Sequence, residues 1–336
     1  MSEDEDRKKT DARRPTYDYA AHFARVRNMA DLTRNPNEQA WVSNMPARPE
    51  HHQYVVWLGC NVIRTVHIAE SLSDILRHAG VDFVALGGPT HCCGSVHQGQ
   101  GAKAVGDNML RQTVKKFDAF TPERMLNWCP SCDTQLRKAP SESLTETAKN
   151  RETVTTFLAK ALRPDLFKVS VPVKVAIHAH AGTPDEDADA LATREILSRI
   201  PGLAIVDIQP VTEILRHCSD ANLRKFGEEP YKQALQDWIR QAKAAGADRV
   251  VSIYHSCHRQ LILKQRDTPE TGMEIVNYLS LVARSLGLSE REDKFSRFAK
   301  SGDVDAMMAA VATNIEKLNL DQDRARTVLA KQFGKR

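Results

Sequence analysis

The sequence reads Tyr54-Val-Val-Trp-Leu-Gly-Cys60, then Thr90-His-Cys-Cys-Gly94, then Asn127-Trp-Cys-Pro-Ser-Cys132. These three segments contain five of the seven cysteines in the chain: Cys60, Cys92, Cys93, Cys129 and Cys132. Thiolates bind soft metal ions and iron–sulfur clusters, and adjacent or C-x-x-C pairs let one turn present two sulfurs to the same centre. The stretch therefore predicts a metal site made of five cysteines.

The number of thiolates indicates a site with more than one metal ion. Five thiolates around one centre repel one another unless several cations compensate their charge, and a single tetrahedral zinc ion would leave one thiolate over. Buried or redox-active thiols without a metal are the alternative. Gly94 is expected to let the backbone approach the sulfurs, and Pro130 to make the C-x-x-C turn rigid.

Composition indicates a globular protein of two domains. The chain has 336 residues, of which 41% are hydrophobic, so it can bury two ordinary cores. Its net charge of +4 is mild, and no long basic run interleaved with aromatic residues indicates nucleic-acid binding. No apolar run approaches the ~20 residues that a membrane-spanning helix needs.

The first residues favour a protein without a signal peptide. Residues 1–14 are charged and poor in apolar side chains, which is typical of a flexible tail. Arg13-Arg14 precedes Pro15 and polar residues rather than an apolar stretch, so a twin-arginine signal is not expected. We therefore expect a cytoplasmic protein, in which clustered cysteines are more often metal ligands or catalytic thiols than disulfides.

Strands and helices alternate through the first half of the chain. The patterns predict strands over residues 54–58, 81–86 and 124–128, and helices over residues 63–79 and 102–120. This order is typical of a parallel sheet covered by helices. Ligands of such sheets collect beyond the carboxyl ends of the strands, where the cysteine segments lie.

The second half repeats this order. Strands are predicted over residues 171–177, 203–208 and 249–253, and helices over residues 190–200 and 231–245. Cys93 and Cys129 are as far apart in the sequence as Cys218 and Tyr254. The repeat therefore aligns Cys92-Cys93 with His217-Cys218, and the segment of Cys129 and Cys132 with that of Tyr254 and Cys257.

These patterns predict an α/β protein with two tandem, pseudo-repeated parallel-sheet domains and helical extensions at both ends. We expect an N-terminal extension over residues 1–50 with a helix at 19–32, a first domain over 51–150, and a second over 151–285 closed by a helix at 274–286. A charged helical tail then covers residues 286–336, with apolar helical spacing over 306–318 and a basic segment over 324–333.

The cysteine order resembles that of a known family. A single cysteine, then Cys-Cys-Gly, then Cys-x-x-Cys, each attached to a strand end, is similar to the cysteine-rich CCG domain over roughly residues 54–280. This domain occurs in the B subunit of heterodisulfide reductase and in relatives from glycolate and lactate oxidation complexes and some succinate dehydrogenases. The resemblance implies a non-cubane [4Fe-4S] cluster, with all five thiolates of the first copy as ligands and Gly94 beside them.

The resemblance also implies a redox protein that works within a complex. The partners would be a ferredoxin-like protein, the C subunit, together with a flavin-bearing protein, the A subunit. The substrate would be a thiol, a disulfide or a carrier-bound sulfur. A bacterial heterodisulfide reductase-like complex of sulfur oxidation is the interpretation that we favour. The alternative is an electron-transfer or assembly subunit of a lactate or glycolate oxidase or of a succinate dehydrogenase.

The second copy departs from the family pattern. Where family members have a stretch like His-Asp-Pro-Cys-His, this chain has Ile177-His-Ala-His-Ala-Gly182. The residues left as candidate ligands of a second site are His217, Cys218, Cys257 and His258, with His178, His180 and His255 nearby in the sequence. A second five-thiolate cluster is therefore not expected. A metal-free pocket and a mononuclear zinc site of two Cys and two His both remain open.

Overall fold

A computed structural model of the chain describes residues 17–180, 182–218, 220–266 and 272–334. The expected flexible tail, residues 1–14, lies outside these described residues.

The first half forms a four-stranded parallel sheet. Its strands are β1 (Tyr54–Gly59), β2 (Phe83–Gly87), β3 (Arg124–Asn127) and β4 (Arg151–Thr153), in the order β2-β1-β3-β4. In β1, Val56 pairs with Ala85 on one side and with Leu126 on the other. Because β1 is central and covered on both faces, its apolar residues form a continuous run rather than an alternation.

The second half repeats this sheet. Strands β5 (Val173–His178), β6 (Leu203–Ile205), β7 (Arg249–Ser252) and β8 (Glu274–Asn277) are parallel and lie in the order β6-β5-β7-β8. Both sheets therefore have the same topology. The predicted α/β fold with two tandem parallel sheets is confirmed.

Helices cover both sheets and form the two extensions. Those up to β5 are α1 (Tyr19–Thr33), α2 (Val66–His78), α3 (Ser95–Gly99), α4 (Lys103–Phe117), α5 (Pro130–Lys138), α6 (Glu146–Lys149) and α7 (Val154–Ala161). Those that follow are α8 (Pro184–Ser198), α9 (Asp220–Phe226), α10 (Glu228–Ala244), α11 (His255–Gln265), α12 (Tyr278–Ser285), α13 (Lys294–Ser301), α14 (Val304–Ala310), α15 (Ala312–Lys317) and α16 (Gln322–Phe333).

The helix predicted over residues 274–286 is wrong in its first turn. Residues Glu274–Asn277 form β8, which pairs with β7, and the helix begins only at Tyr278. The side chain of Asn277 accepts a hydrogen bond from the backbone N–H of Leu279 at 3.1 Å and so caps the helix. The sequence patterns thus did not reveal the fourth strand of either sheet.

The two copies and the two extensions pack together. Helix α2 of the first copy contacts α12 of the second, and Arg259 on α11 donates to the side-chain oxygen of Asn61 at 2.9 Å. Asn314 on α15 donates to the carbonyl oxygens of Asp31 and Arg34, at 2.8 and 2.7 Å. The C-terminal helices therefore pack on α1 as well as on the second copy.

Candidate metal centre

Three neighbouring strands place the cysteines of the first copy at one edge of the sheet. Cys60 directly follows β1, Cys92 follows β2 after the short turn Pro89–His91, and Cys129 lies just beyond β3. Because β1 lies between β2 and β3, these strand ends are adjacent. The parallel arrangement thus converts three distant segments into one cluster of thiols.

The five sulfur atoms form a continuous series of neighbours. The Sγ atom of Cys92 lies 3.5 Å from that of Cys60. The Cys93 thiol interacts with those of Cys92 and Cys132, and the Cys132 thiol also interacts with that of Cys129. All five residues are at most 8% exposed. The structure therefore brings together every cysteine that the sequence singled out in this copy.

Crowding moves the thiol pKa values in opposite directions. The pKa of Cys92 lies well above its usual range because of the thiols of Cys60 and Cys93 and because of burial. The pKa of Cys132 is raised in the same way by Cys129 and Cys93. The pKa of Cys93 is held well below the usual range, because the thiols of Cys132 and Cys92 donate to its sulfur. Five thiolates cannot coexist here without compensating cations, so this donor set suits a polynuclear metal cluster.

Two glycines permit the close packing at this site. Gly59 has a φ of +75°, and a Cβ atom there would lie 3.0 Å from the Sγ of Cys132. Gly94 has a φ of +78°, and a Cβ atom there would lie 2.2 Å from the carbonyl oxygen of Gly106 on α4. Its backbone N–H donates to the Sγ of Cys92 at 3.4 Å. The backbone of Gly94 therefore approaches a sulfur, but a side chain at this position would collide with α4 rather than with a sulfur. A side chain at Gly59, in contrast, would press against the sulfur of Cys132.

The start of helix α5 faces one of the thiols. Cys129 occupies the N-cap position, and Pro130 begins the helix, where its missing N–H costs no hydrogen bond. The pKa of Cys129 is lowered first by the Cys132 thiol and further by the backbone N–H groups of Cys132 and Ser131. A helix N-terminus stabilises a thiolate in this way.

In the second copy the two cysteines meet a histidine from a strand end. Ligand atoms of His178, Cys218 and Cys257 all lie within 4.8 Å of one another, and all three residues are buried. The Nε2 atom of His178 is 4.0 Å from the Sγ of Cys218. The Nε2 atom of His180 is 2.8 Å from the Sγ of Cys257. His178 and the two thiols therefore form one buried group of ligands that suit zinc, and His180 lies beside this group, where its Nε2 atom also accepts the backbone N–H of Cys218 at 3.3 Å.

The structure separates the four candidate ligands of this copy into different groups. His217 does not join the cysteines, because its Nδ1 atom lies 3.4 Å from Glu186 and its side chain is 43% exposed. His258 also points elsewhere, with its Nε2 atom 2.7 Å from Asp293. Of the four residues predicted, only Cys218 and Cys257 lie together.

Three residues near these histidines were not anticipated from the sequence. Glu186 lies close to the rings of both His180 and His217. Asp293 and His67 form a third buried group with His258. The spacing of Thr183 and Glu186 is that of a helix N-terminal capping pair, so a local signal existed for Glu186. No local signal links His67 and Asp293, which belong to distant segments.

These features define a class of protein with two tandem cysteine-rich α/β domains. The family model of the cysteine-rich domain, CCG, matches residues 54–137 and again residues 180–262. The chain belongs to this family and carries two copies of its domain.

Named relatives extend this assignment. The D subunit of the dihydromethanophenazine:CoB–CoM heterodisulfide reductase from Methanosarcina acetivorans is 25% identical over 74% of this chain and 63% of its own length. An EtfAB:quinone oxidoreductase from Syntrophomonas wolfei is 24% identical over 59% of this chain and 28% of its own. An uncharacterized iron-sulfur protein from Methanocaldococcus jannaschii is 22% identical over 71% of this chain and 48% of its own.

The chain aligns with 63% or less of the length of each of these relatives. The heterodisulfide reductase relative is a D subunit, whereas the sequence predicts a resemblance to the B subunit; a B-type role stays a prediction. None of the helices in the described ranges is long and apolar enough to cross a membrane.

Proposed function

We propose that this protein is a cytoplasmic iron–sulfur subunit of a heterodisulfide reductase-like oxidoreductase complex. The observation that carries the proposal is the continuous series of five buried thiols at the ends of β1, β2 and β3. The family and the named relatives, which include an iron–sulfur protein as well as part of a heterodisulfide reductase, support the same theme.

One non-cubane [4Fe-4S] cluster would be held in the first copy, by Cys60, Cys92, Cys93, Cys129 and Cys132. Such a cluster supplies single-electron transfer to and from a substrate sulfur. The protein's own contribution is to hold the thiols in contact and to stabilise their negative charge. The N–H of Gly94 and the first N–H groups of α5 donate to these sulfurs, and hydrogen bonds to ligand sulfurs tune reduction potentials.

The proposed complex contains two further kinds of redox subunit. We propose a B-type role, in which a ferredoxin-like C subunit exchanges electrons with the first copy. A flavin-bearing A subunit would in turn exchange electrons with that ferredoxin-like partner. The substrate would be a thiol, a disulfide or a carrier-bound sulfur, and the complex would serve sulfur oxidation.

A second candidate is favoured by the burial of the first centre. A catalytic cluster needs access for its substrate, yet all five cysteines are at most 8% exposed in this chain. A sealed centre suits electron transfer, and one relative is named an EtfAB:quinone oxidoreductase. On this candidate the chain is an electron-transfer or assembly subunit of a lactate or glycolate oxidase or of a succinate dehydrogenase.

The second copy would bind one zinc ion through Cys218, Cys257, His178 and His180. The buried group of His178, Cys218 and Cys257 supports a mononuclear site, and His180, whose Nε2 atom is 2.8 Å from the Cys257 sulfur, would move to supply the fourth ligand. A surface cavity of about 400 Å³ at the ends of β5 and β6 is lined in part by His180.

The two candidate functions are separated by paramagnetic resonance of the oxygen-free full-length protein. We expect an oxidised cluster signal that changes when candidate thiols are added. If the protein contains its full complement of iron and sulfide but no thiol changes the cluster signal, substrate chemistry is rejected and electron transfer is favoured. Protein without iron would reject both substrate chemistry and electron transfer and would leave only the assembly role.

A further inference from the structure

Two histidines and an aspartate meet in a buried group outside both cysteine sites. His67 lies on α2 of the first copy, His258 lies on α11 of the second copy, and Asp293 caps α13 of the C-terminal segment. Their ligand atoms all lie within 4.8 Å of one another. The Oδ1 atom of Asp293 is 3.4 Å from His67 Nδ1, and its Oδ2 atom is 2.7 Å from His258 Nε2.

Burial makes this group unlike an ordinary surface pair. The side chains of His67 and His258 are 2% and 0% exposed, and that of Asp293 is 23% exposed. The Nε2 atom of His67 is buried without a hydrogen-bond partner among the described residues. The two imidazole rings are tilted by 55° to each other, with their centroids 5.0 Å apart. Polar groups in such surroundings require partners, because water does not solvate them.

The hydrogen bonds around His258 place its Nε2 atom directly against a carboxylate. Ser252 donates its hydroxyl proton to the carbonyl oxygen of Val276 at 3.2 Å, so its oxygen is free to accept the Nδ1–H of His258 at 3.1 Å. A neutral imidazole protonated on Nδ1 presents a lone pair at Nε2. This nitrogen points at the carboxylate of Asp293, so either a proton on Nε2 or a metal ion lies between the two groups.

We propose that His67, His258 and Asp293 bind one Zn²⁺ ion, which joins the two copies and the C-terminal segment. Two imidazole nitrogens and a carboxylate oxygen are a ligand set that zinc accepts, with metal–ligand distances of about 2.0–2.2 Å. The 3.4 Å between His67 and Asp293 suits two ligands of a tetrahedral ion of this size, whereas the 2.7 Å between His258 and Asp293 would lengthen when the ion binds. Ser252 orients His258 from behind, as the outer partners of metal-bound histidines do.

This site is separate from the zinc site proposed in the second copy. It contains no sulfur, whereas that site contains Cys218 and Cys257. Its failure would leave the iron–sulfur proposal untouched, since it shares no residue with the first centre. The competing arrangement is a protonated His258 paired with Asp293 and no metal.

The first test is zinc per chain in full-length protein purified without oxygen. Asp293→Asn is expected to lose about one zinc relative to the parent protein. The matched control is Asp82→Asn, which removes the carboxylate of an exposed aspartate–histidine pair, with His52 at 2.7 Å, that has no third ligand. The control is expected to keep its zinc. Equal zinc in Asp293→Asn and the parent protein would overturn the proposal.

The second test needs no variant and therefore holds even if Asp293→Asn fails to fold. X-ray absorption of the parent protein at the zinc K-edge reports on zinc and not on iron. It distinguishes sulfur ligands at about 2.3 Å from nitrogen and oxygen ligands at about 2.0–2.2 Å. We expect an average of fewer than two sulfurs per zinc, because the proposed site contributes none. An average of two sulfurs, or protein without zinc, would overturn it.

Discussion

Cys60 and Cys92 lie 32 positions apart in the sequence, yet their Sγ atoms are 3.5 Å apart. The contact exists because β1 and β2 are parallel neighbours that end at the same edge of the first sheet. It begins the series of thiols that passes through Cys93 and Cys132 to Cys129. The account of this protein therefore depends on whether these thiols act as one centre.

Substitution of a single thiol in this series should remove the cluster. We expect Cys92→Ser and Cys129→Ser to lose iron and acid-labile sulfide, because each takes away a ligand that no other described thiol of this copy replaces. Cys218→Ser is the control, since its sulfur lies in the second copy with His178. Loss of iron from Cys218→Ser would show that the two copies have been assigned wrongly.

Gly94→Ala should destabilise the fold far more than a comparable change nearby. The φ of +78° costs a residue with a side chain about 1–2 kcal/mol, and the new Cβ would also lie 2.2 Å from the Gly106 oxygen. We expect a fall of roughly 3 kcal/mol or more in the free energy of unfolding, measured in urea. Gly101→Ala has a similar φ of +87° with nothing within 4 Å of the new Cβ, so it should cost only about 1 kcal/mol. Equal losses would mean that the α3–α4 contact is looser than described.

Asp189 should make stability fall as the pH rises. Burial raises its pKa from 3.8 to about 7, although hydrogen bonds from Thr153 and Tyr254 oppose the shift. Between about pH 4 and pH 7 the folded protein holds a proton on Asp189 that the unfolded chain has released. The stabilisation by this protonated carboxyl group is therefore complete below about pH 4 and is lost as the pH rises to about 7. The contribution amounts to at most roughly 4 kcal/mol.

The measurement is the free energy of unfolding at several pH values for the parent protein and for Asp189→Asn. The difference between the two profiles should slope between about pH 4 and 7. Asp207→Asn, at an exposed carboxylate of the same copy, is the control and should follow the parent protein. Parallel profiles for Asp189→Asn would show that the carboxyl group is ionised throughout this range.

His178 and His217 should differ in their effect on zinc in the second copy. The structure places His178 with Cys218 and Cys257, whereas His217 contacts Glu186 at a partly exposed position. We expect His178→Asn to lose about one zinc per chain and His217→Asn to retain it. The reverse result would restore the ligand set that the sequence alone predicted.

Much of the first site was predictable because local patterns contain it. Apolar runs that end in Gly59-Cys60 and in Trp128-Cys129 identify strands and fix which end carries each thiol. Because neighbouring parallel strands end at the same edge of the sheet, these patterns are enough to predict that the thiols lie together. The repeat in the second half followed from the same patterns.

The features that the sequence did not reveal depend on contacts between distant segments. The strand Glu274–Asn277 contains only two apolar residues, Ile275 and Val276, which fit a helix as well as a strand until β7 pairs with them. The orientation of His258 depends on Asp293, 35 positions later, and on its own bond to Ser252. The residues next to His258 in the sequence indicate neither of these two contacts.

The most direct test of the central claim is the amount of iron and acid-labile sulfide per chain in full-length protein purified without oxygen. About four irons and a similar amount of sulfide per chain are expected if the five thiols of the first copy hold one cluster. Zinc without iron would contradict the account, because the fold would then serve structure or assembly rather than redox chemistry.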